Sequence, residues 1–99
     1  MNEISLSIRP SQKDYGKFGL MWHFAENRVR EIYTGSRRNC NEIENKIRRS
    51  FKNVRLEKSG VKDIRYWVHG YEYGSSLVYN YDFDTEKQAL DAASDWLSR

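Results

Sequence analysis

Apolar and polar residues alternate from the start of the chain. Ile4, Leu6 and Ile8 interleave with Ser5, Ser7 and Arg9, the period of a strand with one buried face. A polar loop from Pro10 to Gly16 leads to Phe18, Leu20, Trp22 and Phe24, again at period two. Glu26-Asn27 reads as a hairpin turn returning through Val29 to Tyr33. Beyond Gly35–Asn39 the period changes. Cys40, Ile43, Ile47 and Phe51 fall on one helical stripe, with Asn39 as the expected N-cap and Glu42 completing a capping box. This predicts a helix from Asn39 to Lys52.

Lys52 to Lys62 is a basic connection in which only Val54 to Glu57 suggests a short strand. Two strands follow at Ile64–Tyr73 and Leu77–Phe83, joined by Gly74-Ser75-Ser76. Thr85 and Gln88 mark the start of a last helix that buries Ala89, Leu90, Ala93, Trp96 and Leu97. The predicted fold class is α+β, in one domain over residues 1–99. Its order is β-β-β-α-β-β-α, an antiparallel sheet of about five strands with two helices packed on one face.

Residues 20–51 and 66–97 overlay without a gap as two strands and a helix each. His23/His69, Glu26/Glu72 and Tyr33/Tyr79 are the identical pairs. Three matches in thirty-two positions are about what chance gives, so the overlay indicates shared architecture at most and is no proof of duplication.

Composition narrows the class. The hydrophobic fraction is only 38%, but three Trp, seven Tyr and four Phe supply large apolar areas for a core. A single proline, Pro10, argues against a linker, and the lone Cys40 excludes an internal disulfide and fits a reducing compartment. Residues 1–10 lack the apolar core of a signal peptide, and no apolar run is long enough to cross a bilayer. A soluble, cytoplasmic protein with no membrane partner is expected.

Charge is segregated. Residues 28–65 hold twelve Lys or Arg against five Asp or Glu, 12 − 5 = +7, whereas residues 66–99 hold two against six, 2 − 6 = −4. Such a positive half favours nucleic acid or an acidic protein surface. With Ile43 at the centre of the buried stripe, a rotation of about 100° per residue places Asn45, Arg48, Arg49 and Lys52 on the opposite side of the helix. Arg37 and Arg38 precede it, and Arg55, Lys58, Lys62 and Arg65 continue the charge. Part of this charge is self-neutralised through the i,i+4 pairs Glu42–Lys46 and Glu44–Arg48. The candidate contact set is therefore Arg37, Arg38, Arg48, Arg49, Lys52 and Arg55.

Tyr66, Trp67, Tyr71, Tyr73, Tyr79 and Tyr81 crowd the later strands. Interleaved aromatics can stack bases, but Glu72, Asp82 and Asp84 accompany these, so core filling is the first reading. Trp67, His69 and Tyr71 would form a protein interface if exposed together.

Catalytic signatures are weak. His23, His69 and Cys40 lack zinc-ligand spacing, and the chain has no Walker loop, nucleophile elbow or zincin helix. Asp82, Asp84 and Glu86 complement the positive end of the last helix better than they would hold magnesium. No metal, cofactor or small-molecule ligand is expected. Ile32-Tyr33-Thr34-Gly35-Ser36 before a basic helix resembles the second strand and first helix of GIY-YIG nucleases. Leu77-Val78-Tyr79, Asp82-Phe83-Asp84-Thr85 and Ala89-Leu90 resemble a later segment of that family. The family's first-strand tyrosine, catalytic arginine and metal-binding glutamate would fall near Met21, Lys46 and Ala93, which leaves Tyr33 alone of the set. The last helix also resembles that of AP2-type and integrase arm-binding domains, without the basic strands those domains use on DNA.

The expectation is a small non-catalytic protein that binds nucleic acid through the basic helix and the connection after it. The alternative is a protein–protein inhibitor or adaptor of phage or mobile-element type, acting in anti-defence or host takeover on a nucleic-acid-processing complex. A degenerate GIY-YIG-like nuclease stands third.

Overall fold

A computed structural model describes residues 3–74 and 78–98 and shows six strands and two helices. In chain order they are β1 (Leu6–Pro10), β2 (Phe18–Ala25), β3 (Arg28–Gly35), α1 (Arg37–Ser50), β4 (Phe51–Ser59), β5 (Arg65–Glu72), β6 (Val78–Phe83) and α2 (Glu86–Leu97). The α+β class holds, but the single five-stranded sheet does not. The strands form two three-stranded antiparallel sheets, β1-β2-β3 and β4-β5-β6, and each sheet runs into a helix. The helices do not share one sheet face either: α1 packs on the first sheet and α2 mainly on the second, with further contacts to β3.

The missing piece was β4, which pairs with β5 along its whole length, from Phe51↔Glu72 to Ser59↔Arg65. Its nine residues carry only Phe51, Val54 and Leu56 as apolar positions, separated by Lys, Asn and Arg. An edge strand needs little more, because one of its sides has no strand neighbour and one face is solvated. The chain therefore consists of two β-β-β-α units, and the overlay of residues 20–51 on 66–97 matches elements of the same kind. His23 and His69 both lie on central strands.

The helix boundaries also shift. Ser36, not Asn39, caps α1: it is extended, and its Oγ accepts from the Asn39 backbone N–H at 3.1 Å. Serine one residue before Arg37 takes the earlier start because its short hydroxyl reaches the third helical N–H directly. The helix stops at Ser50, two residues short of expectation, because Phe51 is already extended at φ −117° and begins β4. Thr85 caps α2 as expected, accepting from Gln88 N–H at 3.2 Å. The turn at Glu26-Asn27 is also as expected, with Asn27 at φ 59°, a left-handed conformation that Asn tolerates better than most residues. Of the predicted Gly74-Ser75-Ser76 connection, only Gly74 lies within the described residues, and Leu77 also lies outside them.

One contiguous core draws on both units. Leu6, Leu20, Trp22, Phe24 and Ile47 come from the first, and Val54, Val68, Ala89, Leu90, Ala93 and Leu97 from the second. Trp22 is fully buried, and its indole N–H donates across the junction to the Val54 carbonyl at 3.2 Å. Where the sheets meet, Ile4 N–H donates to the Lys52 carbonyl at 3.0 Å.

The outer face of the first sheet is closed by its own loop. Glu31 is buried, and its carboxylate accepts from Ser11 Oγ at 3.0 Å and from Thr34 Oγ1, with the Gln12 N–H at 3.4 Å. Gly19 makes room for it, since a Cβ there would overlap the Glu31 carboxylate. Gly19→Ala should therefore push Glu31 off its partners and cost about 1–3 kcal/mol, read as a lower urea midpoint. If the cause is this overlap, adding Glu31→Ala will cost less in the Gly19→Ala background than in the wild type.

Candidate nucleic-acid interface

Part of the segregated charge is met by the other half of the molecule. Arg28 on β3 forms a two-armed pair with Glu86 of α2, one arm at 2.9 Å, and Arg30 pairs with Asp91. Arg65 on β5 bridges to Asp82 at 2.8 Å and also to Asp84. Three cations of the positive half thus meet four of the six carboxylates of the negative half. Their partners are 17 to 61 residues away.

These pairs set the protonation of their members. The Arg28 guanidinium holds the Glu86 carboxyl below its ordinary range, while Lys87, then Arg30, does the same for Asp91. A carboxyl held lower in the fold than in the unfolded chain adds stability above its unfolded value, roughly pH 4, and loses it as pH falls through the folded value. Arg28→Gln/Arg30→Gln should therefore lower the urea midpoint at pH 7, by a modest amount because the pairs are solvated. The difference from wild type should vanish near pH 2. A gap that persists in acid would mean that these arginines act by packing.

The six candidate contact residues occupy different settings. Arg38 and Arg49 lie on the solvent side of α1 together with Asn45, opposite the buried Cys40 and Ile47. Arg38 is loosely paired with Glu42 at 3.6 Å. Arg37 sits on the first turn with its guanidinium 5.7 Å from the Phe18 ring centroid. Arg48 departs from the exposed side assigned to it. The buried stripe centres on Cys40 and Ile47 instead of Ile43, so Arg48 lies on its flank. Its guanidinium donates to the Ile4 and Leu6 carbonyls at 3.1 and 3.3 Å, with Glu44 at 3.8 Å. That position makes it a tie between α1 and the first strand. Burial raises the Cys40 thiol pKa, as expected for an inert interior cysteine.

Arg49 and Lys52 straddle the α1–β4 junction, where helix passes into strand with no intervening loop. Both are exposed, as is Arg55, and none of the three has an ion-pair partner among the described residues. Arg55 is set apart from the other two by the pleat. It faces outward from the second sheet, directly across from His69.

That outer face, on the side away from α2, also carries Trp67, His69 and Tyr71, each half-buried. The alternation therefore put the three suspected interface residues on one face. Trp67 and His69 lie parallel, 10° between planes and 6.2 Å between centroids. Sequence reading missed Glu57, Ser59 and Asn80, which complete a shallow hollow around them. For Glu57 and Ser59 the signal lies in β4, whose composition is that of a charged connection, whereas Asn80 lies on the expected strand β6. Of the nuclease-like positions, Met21 and Ala93 are buried and Tyr33 packs against the core. Among the described residues, no three His, Cys, Asp or Glu side chains cluster as a metal site, and no helix is long and apolar enough to cross a membrane. Comparison with protein-family models, with curated proteins and with solved structures returned no match.

Proposed function

We propose that this chain is a non-catalytic binding protein that contacts nucleic acid through the α1–β4 junction. Arg49 and Lys52 form the centre, Arg37, Arg38 and Arg55 flank it, and Arg48 holds the helix in place. One observation carries the reading. The arginines facing the acidic half are consumed by Glu86, Asp91, Asp82 and Asp84, while Arg49 and Lys52 are exposed without an acidic partner among the described residues. Cations left over after internal pairing are available to phosphates, and displacing condensed counterions gives affinity that falls steeply with salt. The test is titration of fluorescent single-stranded and duplex oligonucleotides at low and raised salt. Salt-independent binding, or none at low salt, rejects the reading.

A second reading, a protein-binding inhibitor or adaptor of the kind phages and mobile elements use, is favoured by the aromatic outer face of the second sheet. Retention of a protein partner from nuclease-treated lysate, lost on Trp67→Ala and kept on Arg49→Glu/Lys52→Glu, would establish it in place of the first.

A further inference from the structure

We propose that the hollow on the outer face of the β4-β5-β6 sheet receives an arginine side chain from a protein partner, with the guanidinium over Trp67 and against Glu57. This is a second surface, distinct from the basic junction. Strand register builds it: Glu57, Trp67 and Asp82 lie in one cross-strand row, β4 to β6, and Arg55, His69 and Asn80 in the next. The hollow measures ≈ 250 Å³ and is lined by Glu57, Ser59, Trp67, His69 and Asn80.

Its walls are held in place. The Trp67 indole N–H donates to Ser59 Oγ at 3.0 Å, which fixes the ring plane. His69 Nδ1 lies 2.6 Å from Asn80 Oδ1, and its Nε2 lies 3.2 Å from Glu57 Oε2. Glu57 nevertheless keeps 56% of its side chain in solvent, so one oxygen edge remains accessible.

Charge selects the occupant. The lining holds one carboxylate, Glu57, and no Lys or Arg, and Arg65 at its side is already committed to Asp82 and Asp84. A carboxylate beside an indole face, with no Lys or Arg in the lining, disfavours phosphates and attracts cations. Arginine suits it better than lysine, because a planar guanidinium can lie on the indole while its edge donates to a carboxylate. Arg55 is on the same face but does not line the hollow. The hollow, unlike Arg55 outside it, disfavours a phosphate and matches an arginine-bearing protein.

The probe is N-acetyl-arginine amide, with its neutral isostere N-acetyl-citrulline amide and oligothymidylate as comparisons. The readout is the indole N–H resonance of Trp67, assigned by its loss in Trp67→Phe, with buried Trp22 as an internal reference for the fold. The arginine probe should displace the Trp67 resonance, with an affinity on the order of millimolar, and citrulline should not. Glu57→Gln should weaken binding about tenfold, the loss of one charge-assisted contact. Arg55→Gln should strengthen it by removing a like charge. Equal displacement by citrulline overturns the proposal, as does no displacement up to the solubility of the arginine probe. Displacement by oligothymidylate that weakens in Arg55→Gln also overturns it and makes the face a base-stacking surface. None of these outcomes touches Arg49 or Lys52, so this site and the nucleic-acid reading can fail separately.

Discussion

Trp22→Ala should cost about 3–5 kcal/mol, enough to unfold a domain of ordinary stability. The indole is fully buried at the centre of β2, its ring centroid 5.6 Å from that of Phe24, and it donates to the Val54 carbonyl. Truncation therefore opens a cavity in the shared core and also removes a hydrogen bond to that carbonyl across the unit junction. Trp22→Phe separates the two effects. It keeps most of the apolar contact and loses the hydrogen bond, for about 1–3 kcal/mol. Urea unfolding followed by far-UV circular dichroism measures both. If Trp22→Ala costs less than 1 kcal/mol on the same scale, the two units do not depend on one core.

Arg49→Glu/Lys52→Glu should leave the urea midpoint within about 0.5 kcal/mol of wild type, since both side chains are exposed. Arg49 lies in the last turn of α1, where a cation favours the helix dipole, so reversal there has a small cost. Oligonucleotide affinity should fall at least about tenfold at low salt, because two phosphate contacts are lost and two repulsions gained. The reversal of Arg28 and Glu86 together, Arg28→Glu/Glu86→Arg, is the contrasting case. It swaps an internal pair and should leave binding unchanged. The swap leaves net charge unchanged, so equal losses in the two double variants would mean that affinity does not rest on the junction cations.

The strands with clear alternation, β1, β2 and β5, were legible because each carries one buried face, as were the Thr85 cap and the Asn27 turn. β4 was not, because a strand with Lys52, Arg55, Glu57 and Lys58 among its nine residues has the composition of a charged connection, and only its pairing with β5 discloses it. Once β4 is a strand, the fold becomes two similar units and the single sheet divides. The charge split was legible as a total, but its meaning was not. Arg28–Glu86 and Arg30–Asp91 join residues 58 and 61 apart, a distance over which local spacing carries no information. Arg48 was misplaced for a smaller reason. A rotation of about 40° in the assumed buried stripe is enough to move a side chain from solvent to the flank where it meets the Ile4 and Leu6 carbonyls.

The central claim is that cations left unpaired at the α1–β4 junction bind phosphates. The slope of log affinity against log salt concentration, measured for the wild type and for Arg49→Glu/Lys52→Glu, tests it most directly. The account predicts a steep negative slope for the wild type that becomes shallower by roughly 2 in the variant, about one unit for each lost phosphate contact. Identical slopes for the two proteins would contradict it.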